Sequence, residues 1–254
     1  MYVIHTSAIL GVAEKEAAFV AFVRENRFSA VTLYDAGPAL REPAASRLAG
    51  LVARLRRDGR VQSVGAPIAS VERLAEVVAY GDAHPQGAFD AVVTELEYWN
   101  DCDGARGERA CFGPFVSLLE AMRAAARPRG IRVGAYLGYP TKEEALRIAS
   151  LTDYVLLNYP VRDPRTAYED VHPRGGALSA RMQWFATTKA VVWPILYTRG
   201  EVHMGDWVRA HGLLAAEEAF LAGAVPEVRP RIGGFQFFAH DVLDPPQATI
   251  LHLR

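Results

Sequence analysis

Two glutamates stand at alternate positions near the end of an apolar run, in the stretch "FDAVVTELEYWNDCDG" at 89–104. If that run is a β-strand, its pleat places the carboxylates of Glu95 and Glu97 on the same face. Two buried carboxylates on one face cannot both ionise cheaply, so we expect one of the two pKa values to rise. A protonated carboxylic acid beside an ionised neighbour can act as a general acid near neutral pH. The spacing therefore predicts proton-transfer chemistry; the structural alternative pairs Glu95 with an arginine such as Arg132 or Arg162 and leaves Glu97 in solvent.

The elements that would position this pair follow a regular order. Apolar, β-branched or aromatic runs alternate with amphipathic helical patterns, and the runs begin at Tyr2, Ala30, Val61, Ala91, Ile131, Asp153, Ala190 and Ile232. Eight strand–helix repeats are typical of a (β/α)8 barrel. A doubly wound open sheet would have fewer strands and usually a Gly-rich phosphate turn after the first, which this sequence lacks. We therefore predict a single (β/α)8 TIM barrel, class α/β, over residues 1–254, with a last helix that is short or missing.

Composition excludes several classes of partner. The net charge is −1 over 254 residues, half of them hydrophobic, which argues against nucleic acid and against a membrane surface. No run reaches the length of a membrane span, and the first residues do not resemble a signal peptide. The expected location is the cytoplasm as written, or the outside or periplasm if a leader peptide has been removed. Cys102 and Cys111 are too few for a zinc site and either form a loop disulfide or stay as thiols. No metal and no cofactor is implied.

In such barrels the chemistry sits at the carboxyl ends of the strands. The polar and aromatic residues that close the eight runs are His5, Tyr34, Asp35, Glu95, Glu97, Tyr98, Trp99, Tyr136, Tyr139, Asn158, Tyr159, Trp193, Tyr197, Gln236, Phe238 and His240. Aromatic faces combined with a few hydrogen-bonding groups suit sugar rings better than phosphate. The predicted substrate-binding residues are Tyr98, Trp99, Tyr136, Asn158, Trp193, Tyr197, Gln236 and Phe238. For Tyr136, Tyr159 and Trp193, packing at a strand end is an equally good interpretation.

At this point the sequence resembles a known family. "FDAVVTELEYW" is similar to the strand-four signature of glycoside hydrolase family 18, the chitinase and endo-N-acetylglucosaminidase family, whose pattern is D-G-x-D-x-D-x-E-Y. Asp90 matches the first position, Glu95 stands at the last inner aspartate, and Glu97 falls on the catalytic glutamate with Tyr98 after it. Val93 replaces the other inner aspartate.

Two further short motifs agree in order. "LLNYP" resembles the strand-six motif M-x-Y-D, with a match at Tyr159 and Pro160 in place of the aspartate. "GGFQFF" resembles the strand-eight motif G-G-x-M-x-W, with Phe238 where the tryptophan would be. The family's insertion after strand seven is absent from the short stretch "LYTRGEVHMGDW", which predicts an open, shallow groove.

The resemblance implies a retaining, substrate-assisted hydrolysis of β-linked N-acetylglucosamine-containing glycans, the exception to the scheme in which the protein supplies the nucleophile. Glu97 would be the general acid/base. Glu95 would hold the acetamido N–H and stabilise the positive charge, while Tyr159 would donate to the acetamido oxygen. Neither the particular glycan nor the oligomeric state follows from the sequence.

Three alternatives remain open. Val93 favours a carbohydrate-binding protein that has lost catalytic power. A conventional retaining glycosidase would use Glu97 and Glu201 as acid and nucleophile, with the carboxyls about 5 Å apart. His5 fits the first-strand histidine of metal-assisted phosphodiesterases, but the second run offers Tyr34 and Asp35 in place of a partner histidine.

Overall fold

In the computed structural model, the described residues are 1–3, 5–100, 111–158, 162–166, 171–172, 176–197 and 204–239. For Tyr197 and Phe238, the backbone alone is described. The predicted short last helix and His240 lie outside these ranges.

Eight parallel strands close into a barrel, which confirms the predicted (β/α)8 architecture. The strands in the described parts of the chain are β1 Tyr2–Val3, β2 Ala30–Leu33, β3 Ser63–Ile68, β4 Ala91–Thr94, β5 Arg132–Leu137, β6 Tyr154–Asn158, β7 Val171–His172, β8 Gly176–Ala177, β9 Val191–Tyr197 and β10 Gln236–Ala239. The barrel order is β1-β10-β9-β6-β5-β4-β3-β2, while β7 and β8 form a small antiparallel pair outside it. Each of the eight predicted runs contains one barrel strand.

Helices follow the strands and pack around the barrel. Their bounds are α1 Thr6–Ile9, α2 Ala13–Glu25, α3 Ala44–Arg57, α4 Val71–Ala83, α5 Phe112–Ala126, α6 Lys142–Ala149, α7 Leu178–Ala186, α8 Gly205–His211 and α9 Leu213–Gly223. Short 3-10 turns occupy Gly37–Leu40, Pro85–Gly87, Arg127–Arg129, Pro164–Thr166 and Arg229–Arg231. The apolar stripe predicted for α3, at Leu48, Leu51, Val52 and Leu55, is fully buried, as expected for a helix that turns one face to the sheet.

Side chains alternate between two hydrophobic clusters. Inside the barrel lie Tyr2, Ala91, Val93, Tyr154, Leu156 and Ile195. The residues between them on the same strands, such as Val92 and Val155, point outward to the helices. The interior is therefore a packed core, and any ligand must bind at one of its ends.

The fourth strand is shorter than the sequence pattern suggested. Its ladders end where Thr94 pairs with Ile68 on β3 and with Ala135 on β5. The Thr94 hydroxyl then accepts a hydrogen bond from the Leu96 amide at 3.4 Å, a local bond that competes with continued strand pairing. Glu95 and Glu97 therefore lie on the connection that leaves β4, and the prediction that they are strand residues is wrong.

Candidate active site

Glu95 directly follows β4 and turns its carboxyl group into the mouth of the barrel. The hydroxyl of Tyr34, which follows β2, bonds with this carboxyl, and the hydroxyl of Tyr2, from β1, lies close enough to favour its ionised form. Burial raises the pKa of Glu95 to about 7; the two tyrosine hydroxyls oppose that rise, and the charge of Glu97 adds to it. Near neutral pH the Glu95 carboxyl is therefore about half protonated.

Glu97 lies close enough for its charge to act on the same groups. It raises the pKa of Glu95 and, after the larger effect of Glu95 itself, that of Tyr34. The side-chain amide of Asn100 donates to Glu97 Oε2, and the Asn100 backbone N–H donates to the Glu97 carbonyl at 2.7 Å. The pKa of Glu95 is raised, mainly by burial and only in small part by the neighbouring Glu97. The raised pKa therefore belongs to the buried Glu95, not to the glutamate that the family resemblance identifies as the acid.

A cavity of about 280 Å³ opens beside Glu95, at the carboxyl ends of β2 and β3. Its lining residues are Tyr34, Asp35, Ala36, Gly37, Pro38, Leu40, Ala66, Pro67, Ile68, Ala69, Arg73, Val77 and Glu95. Sequence reasoning noted Tyr34, Asp35 and Glu95 as strand-closing groups but missed the rest. The apolar wall residues have no chemical signature, and Arg73 comes from the first turn of α4, where only the folded barrel brings it to the strand ends.

Two charged groups of this cavity are held in place by neighbours. The Asp35 carboxylate accepts the Ser7 backbone N–H at 3.2 Å and the Ser7 hydroxyl. Arg73 Nη1 lies 2.6 Å from Glu76 Oε2, and the other Glu76 oxygen pairs with Arg41. The cavity is therefore lined by one guanidinium group, that of Arg73, and by the carboxyl groups of Asp35 and Glu95.

On the opposite side of Glu95, the structure brings together three predicted binding residues. The Trp99 and Tyr136 rings lie 5.6 Å apart, and Asn158 Nδ2 donates to the Tyr136 hydroxyl at 2.6 Å. The Trp99 indole lies against Gly138, where a Cβ would come within 2.6 Å of the ring. Asn158 Oδ1 is buried and has no hydrogen-bond partner within the described ranges. These residues form an aromatic rim with one polar group at the ends of β4, β5 and β6.

Tyr98 is placed elsewhere. It is buried, packs on Phe115 with ring centroids 4.6 Å apart, and donates its hydroxyl hydrogen to Glu144 at 3.2 Å. Glu144 also closes the capping box of α6 with Thr141. The predicted substrate contact of Tyr98 does not fit this position, because the chain turns after Glu97 and directs the phenol toward the outer helices.

Trp193 and Gln236 lie too low in the barrel for the predicted contacts. The Trp193 indole stacks on Tyr154, the first residue of β6, at 5.0 Å, and the guanidinium of Arg132, the first residue of β5, is 5.8 Å from its centroid. Gln236 is the buried first residue of β10 and accepts from the Met1 amine at 3.4 Å. Trp193 and Gln236 both stand early in their strands, so their side chains fill the half of the barrel interior that is nearer the amino ends of the strands.

Several predicted residues fall outside the described part of the chain. They are Tyr159, Glu201, His240 and Cys102, together with the side chains of Tyr197 and Phe238. Their proposed roles stay predictions. Cys111 is disulfide-bonded, and Cys102 is the one other cysteine in the sequence.

The described ranges contain neither a metal-binding cluster nor a membrane-spanning helix. No group of three or more His, Cys, Asp or Glu side chains there could hold a metal ion. Nor does any helix in those ranges have the length and apolar character needed to cross a bilayer.

No protein-family model and no curated protein matches the sequence. Solved structures match in fold. A xylose isomerase domain protein from Planctomyces limnophilus has a TM-score of 0.53 at 11% identity, covering 87% of this chain and 85% of its own. A chitinase from Chromobacterium violaceum ATCC 12472 has a TM-score of 0.51 at 12% identity, covering 95% and 96%. The YdjI aldolase from Escherichia coli K12 has a TM-score of 0.50 at 11% identity, covering 88% and 70%.

These similar chains are mostly TIM-barrel enzymes, with chitinases among isomerases and aldolases. At such identities the likeness establishes the barrel and does not select one chemistry. The function must therefore be argued from the side chains at the mouth.

Proposed function

We propose that the protein is a glycoside hydrolase that cleaves β-linked N-acetylglucosamine-containing glycans by a retaining, substrate-assisted mechanism. The observation that carries the proposal is Glu95 at the carboxyl end of β4, whose pKa burial raises to about 7, with Glu97 two residues on and close enough for its charge to add to that rise. A carboxyl group that keeps its proton near neutral pH, beside a second carboxyl, is what general acid catalysis at a glycosidic oxygen needs.

The carboxyl groups of Glu95 and Glu97 would have different roles in the reaction. In the free enzyme the proton would reside on Glu95, because burial raises the pKa of that carboxyl group. When an acetamido N–H donates to Glu95, it stabilises the ionised form, and the proton moves to Glu97. Glu97 is partly exposed and bonds with the exposed Asn100, and we assign it the transfer of the proton to the leaving oxygen.

The bond changes balance in two steps. First, the proton passes from Glu97 to the leaving glycosidic oxygen, the C1–O bond breaks, and the substrate's acetamido oxygen bonds to C1. Then water attacks C1, gives its proton to Glu97, and the acetamido carbonyl is released. Tyr159, carried over from the family motif, would hydrogen-bond the acetamido oxygen during this sequence.

The aromatic rim formed by Trp99 and Tyr136 is suited to binding a sugar ring. The Trp99 and Tyr136 rings offer apolar faces. Sugars present an apolar face that can stack on such rings, together with hydroxyl groups that can bond with polar side chains beside them.

The first test is hydrolysis by the wild-type protein. We expect turnover of a fluorogenic N-acetylchitobioside and inhibition by an oxazoline-type analogue, because only a mechanism with acetamido participation passes through that ring. Absence of turnover on this substrate and on chitooligosaccharides would contradict the proposal.

A second candidate is a carbohydrate-binding barrel. Val93 is fully buried inside the barrel at the position where the family signature has an inner aspartate, so one carboxylate of the proton relay is missing. An inert wild type whose tryptophan fluorescence responds to chitooligosaccharides would select this function over hydrolysis.

The pH profile of kcat/KM tests the proton held by Glu95. The pair must carry one proton to act, so we expect kcat/KM to fall as the pH rises through about 7, the pKa of Glu95. Tyr34→Phe removes a hydrogen bond that favours the ionised Glu95, so its pKa rises and this limb should move to higher pH by about half a pH unit or more.

Tyr80→Phe is the matched control, because the Tyr80 hydroxyl donates to the Gly87 carbonyl between α4 and β4 and does not contact the glutamates. Its profile should equal that of wild type. Activity that rises through pH 7 would mean that the reaction needs Glu95 ionised and takes its proton from another group.

A further inference from the structure

We infer that the cavity beside Glu95 is a subsite for one sugar residue, and that it receives the terminal residue of the glycan. The second half of this inference rests on the proposed glycosidase function, because it states where the chain is cut. The protein would then release single residues from a chain end instead of cutting internally.

The shape of the cavity gives it a closed end. Its floor consists of the buried residues Ala36, Leu40, Ala66, Ile68 and Val77. The 3-10 turn Gly37–Leu40 supplies Leu40 to this floor, and helix α4 supplies Val77. The exposed lining residues are Tyr34, Pro38 and Ala69, which mark the opening. Because the cavity is only half open and is backed by these residues, we expect a chain end to enter it more readily than an internal residue.

The size of the cavity limits what can enter. Its volume is about 280 Å³, just below the range of about 300 to 1,000 Å³ that holds drug-sized ligands. One pyranose ring with its substituents fits such a volume, whereas two linked rings need more. The cavity therefore accommodates a single residue.

The chemistry of the walls matches a sugar. The apolar floor suits the C–H face of a pyranose ring, while Asp35 and Arg73 offer an acceptor and a donor for ring hydroxyls. A carboxylate has about four acceptor positions and a guanidinium five N–H donors. The Ser7 bonds to Asp35 and the Arg73–Glu76 ion pair use part of these and hold both groups in place.

The position of the cavity fixes which bond would be cut. Glu95 belongs both to the cavity wall and to the carboxyl pair, and Glu97 acts on Tyr34 at the opening. A sugar held in the cavity places its glycosidic bond next to the pair. The remainder of the glycan would extend toward the aromatic rim of Trp99 and Tyr136 on the far side of β4.

The cavity can be blocked without touching the carboxyl pair. Ala69 is an exposed lining residue between β3 and α4, so Ala69→Trp adds an indole at the opening with little effect on the core. Ala17→Trp on the exposed face of α2 is the matched control. The probe is the monosaccharide N-acetylglucosamine, titrated by calorimetry or ligand-observed NMR.

We expect wild type and Ala17→Trp to bind the monosaccharide and Ala69→Trp to bind it at least about tenfold more weakly, since pockets discriminate changes of one methylene by that much. Absence of binding to wild type, or equal binding to Ala69→Trp, would overturn the subsite.

Product analysis separates this inference from the proposed function. With a chitohexaose substrate, the first products should be the monosaccharide and the pentamer, and Ala69→Trp should lose at least about tenfold in their rate of formation. Internal fragments as first products overturn the terminal subsite while the glycosidase function stands. No cleavage, together with monosaccharide binding that Ala69→Trp removes, overturns the glycosidase function and leaves the cavity as a sugar-binding site.

Discussion

Glu97→Gln is expected to lower kcat for glycan cleavage by at least about 100-fold, the lower end of what a general acid contributes. The amide keeps the size of the side chain and can still bond with Asn100, but it has no proton to give the leaving oxygen. Glu97 is partly exposed and lies after the end of β4, so the fold should tolerate the change. Steady-state rates on chitooligosaccharides measure the effect.

The dependence of the activity loss on the leaving group is a second measurement, and a purely structural defect would not produce it. An aryl glycoside releases a stable phenolate and needs little protonation, so Glu97→Gln should lose much less on a 4-methylumbelliferyl substrate than on a natural oligosaccharide. Glu25→Gln, an exposed glutamate at the end of α2, should behave like wild type on both substrates.

The opposite pattern would exchange the two roles. If Glu95→Gln removes activity on oligosaccharides while Glu97→Gln keeps it, the buried residue with its pKa of about 7 is itself the acid. If both variants keep full activity, the pair has no part in the reaction and the proposed mechanism fails.

The barrel could be predicted because its signal is repeated along the whole chain. Each strand run is a few apolar residues between turn residues, and each helix shows a buried stripe such as that of α3. Errors of a few residues at a boundary do not change the count of eight units. The topology then follows, since parallel strands joined by helices have one favoured handedness.

The same boundary errors matter much more at the site. β4 ends at Thr94, three residues before Glu97, and the Leu96 amide donates to the Thr94 hydroxyl instead of continuing the strand pairing. The hydrophobic periodicity of the sequence carries no information about such a local hydrogen bond. The position of Tyr98 directly after Glu97 therefore suggested a substrate contact, whereas a turn buries its side chain against Phe115 of α5.

The cavity could not be predicted, since it depends on tertiary packing. Arg73 and Val77 come from α4, Leu40 from a 3-10 turn, and Ile68 from the end of β3. None of these residues has an unusual type or spacing. Similarly, the raised pKa of Glu95 follows from its burial beside Tyr2, which is 93 positions away in the sequence.

Burial of Glu95 also predicts a pH-dependent cost to folding. Its pKa is about 7 in the folded protein against 4.5 in the reference state. The folded state therefore holds this proton more tightly, and its stability falls as the pH rises from the unfolded pKa through the folded one. The full cost, about 3 kcal/mol, is present above pH 7 and absent below about 4.5.

Glu95→Gln should remove this cost, because a neutral amide replaces a carboxylate that ionises in a buried place. We expect the variant to match wild type near pH 4 and to exceed its free energy of unfolding by about 3 kcal/mol near pH 9, measured by urea denaturation. Glu25→Gln should show no such divergence, since its carboxylate is exposed in the folded state. A constant difference between Glu95→Gln and wild type across that range would mean that Glu95 ionises as freely in the folded protein as in the unfolded chain. The proposed chemistry depends on a buried carboxyl group that keeps its proton near neutral pH, and that result would contradict it.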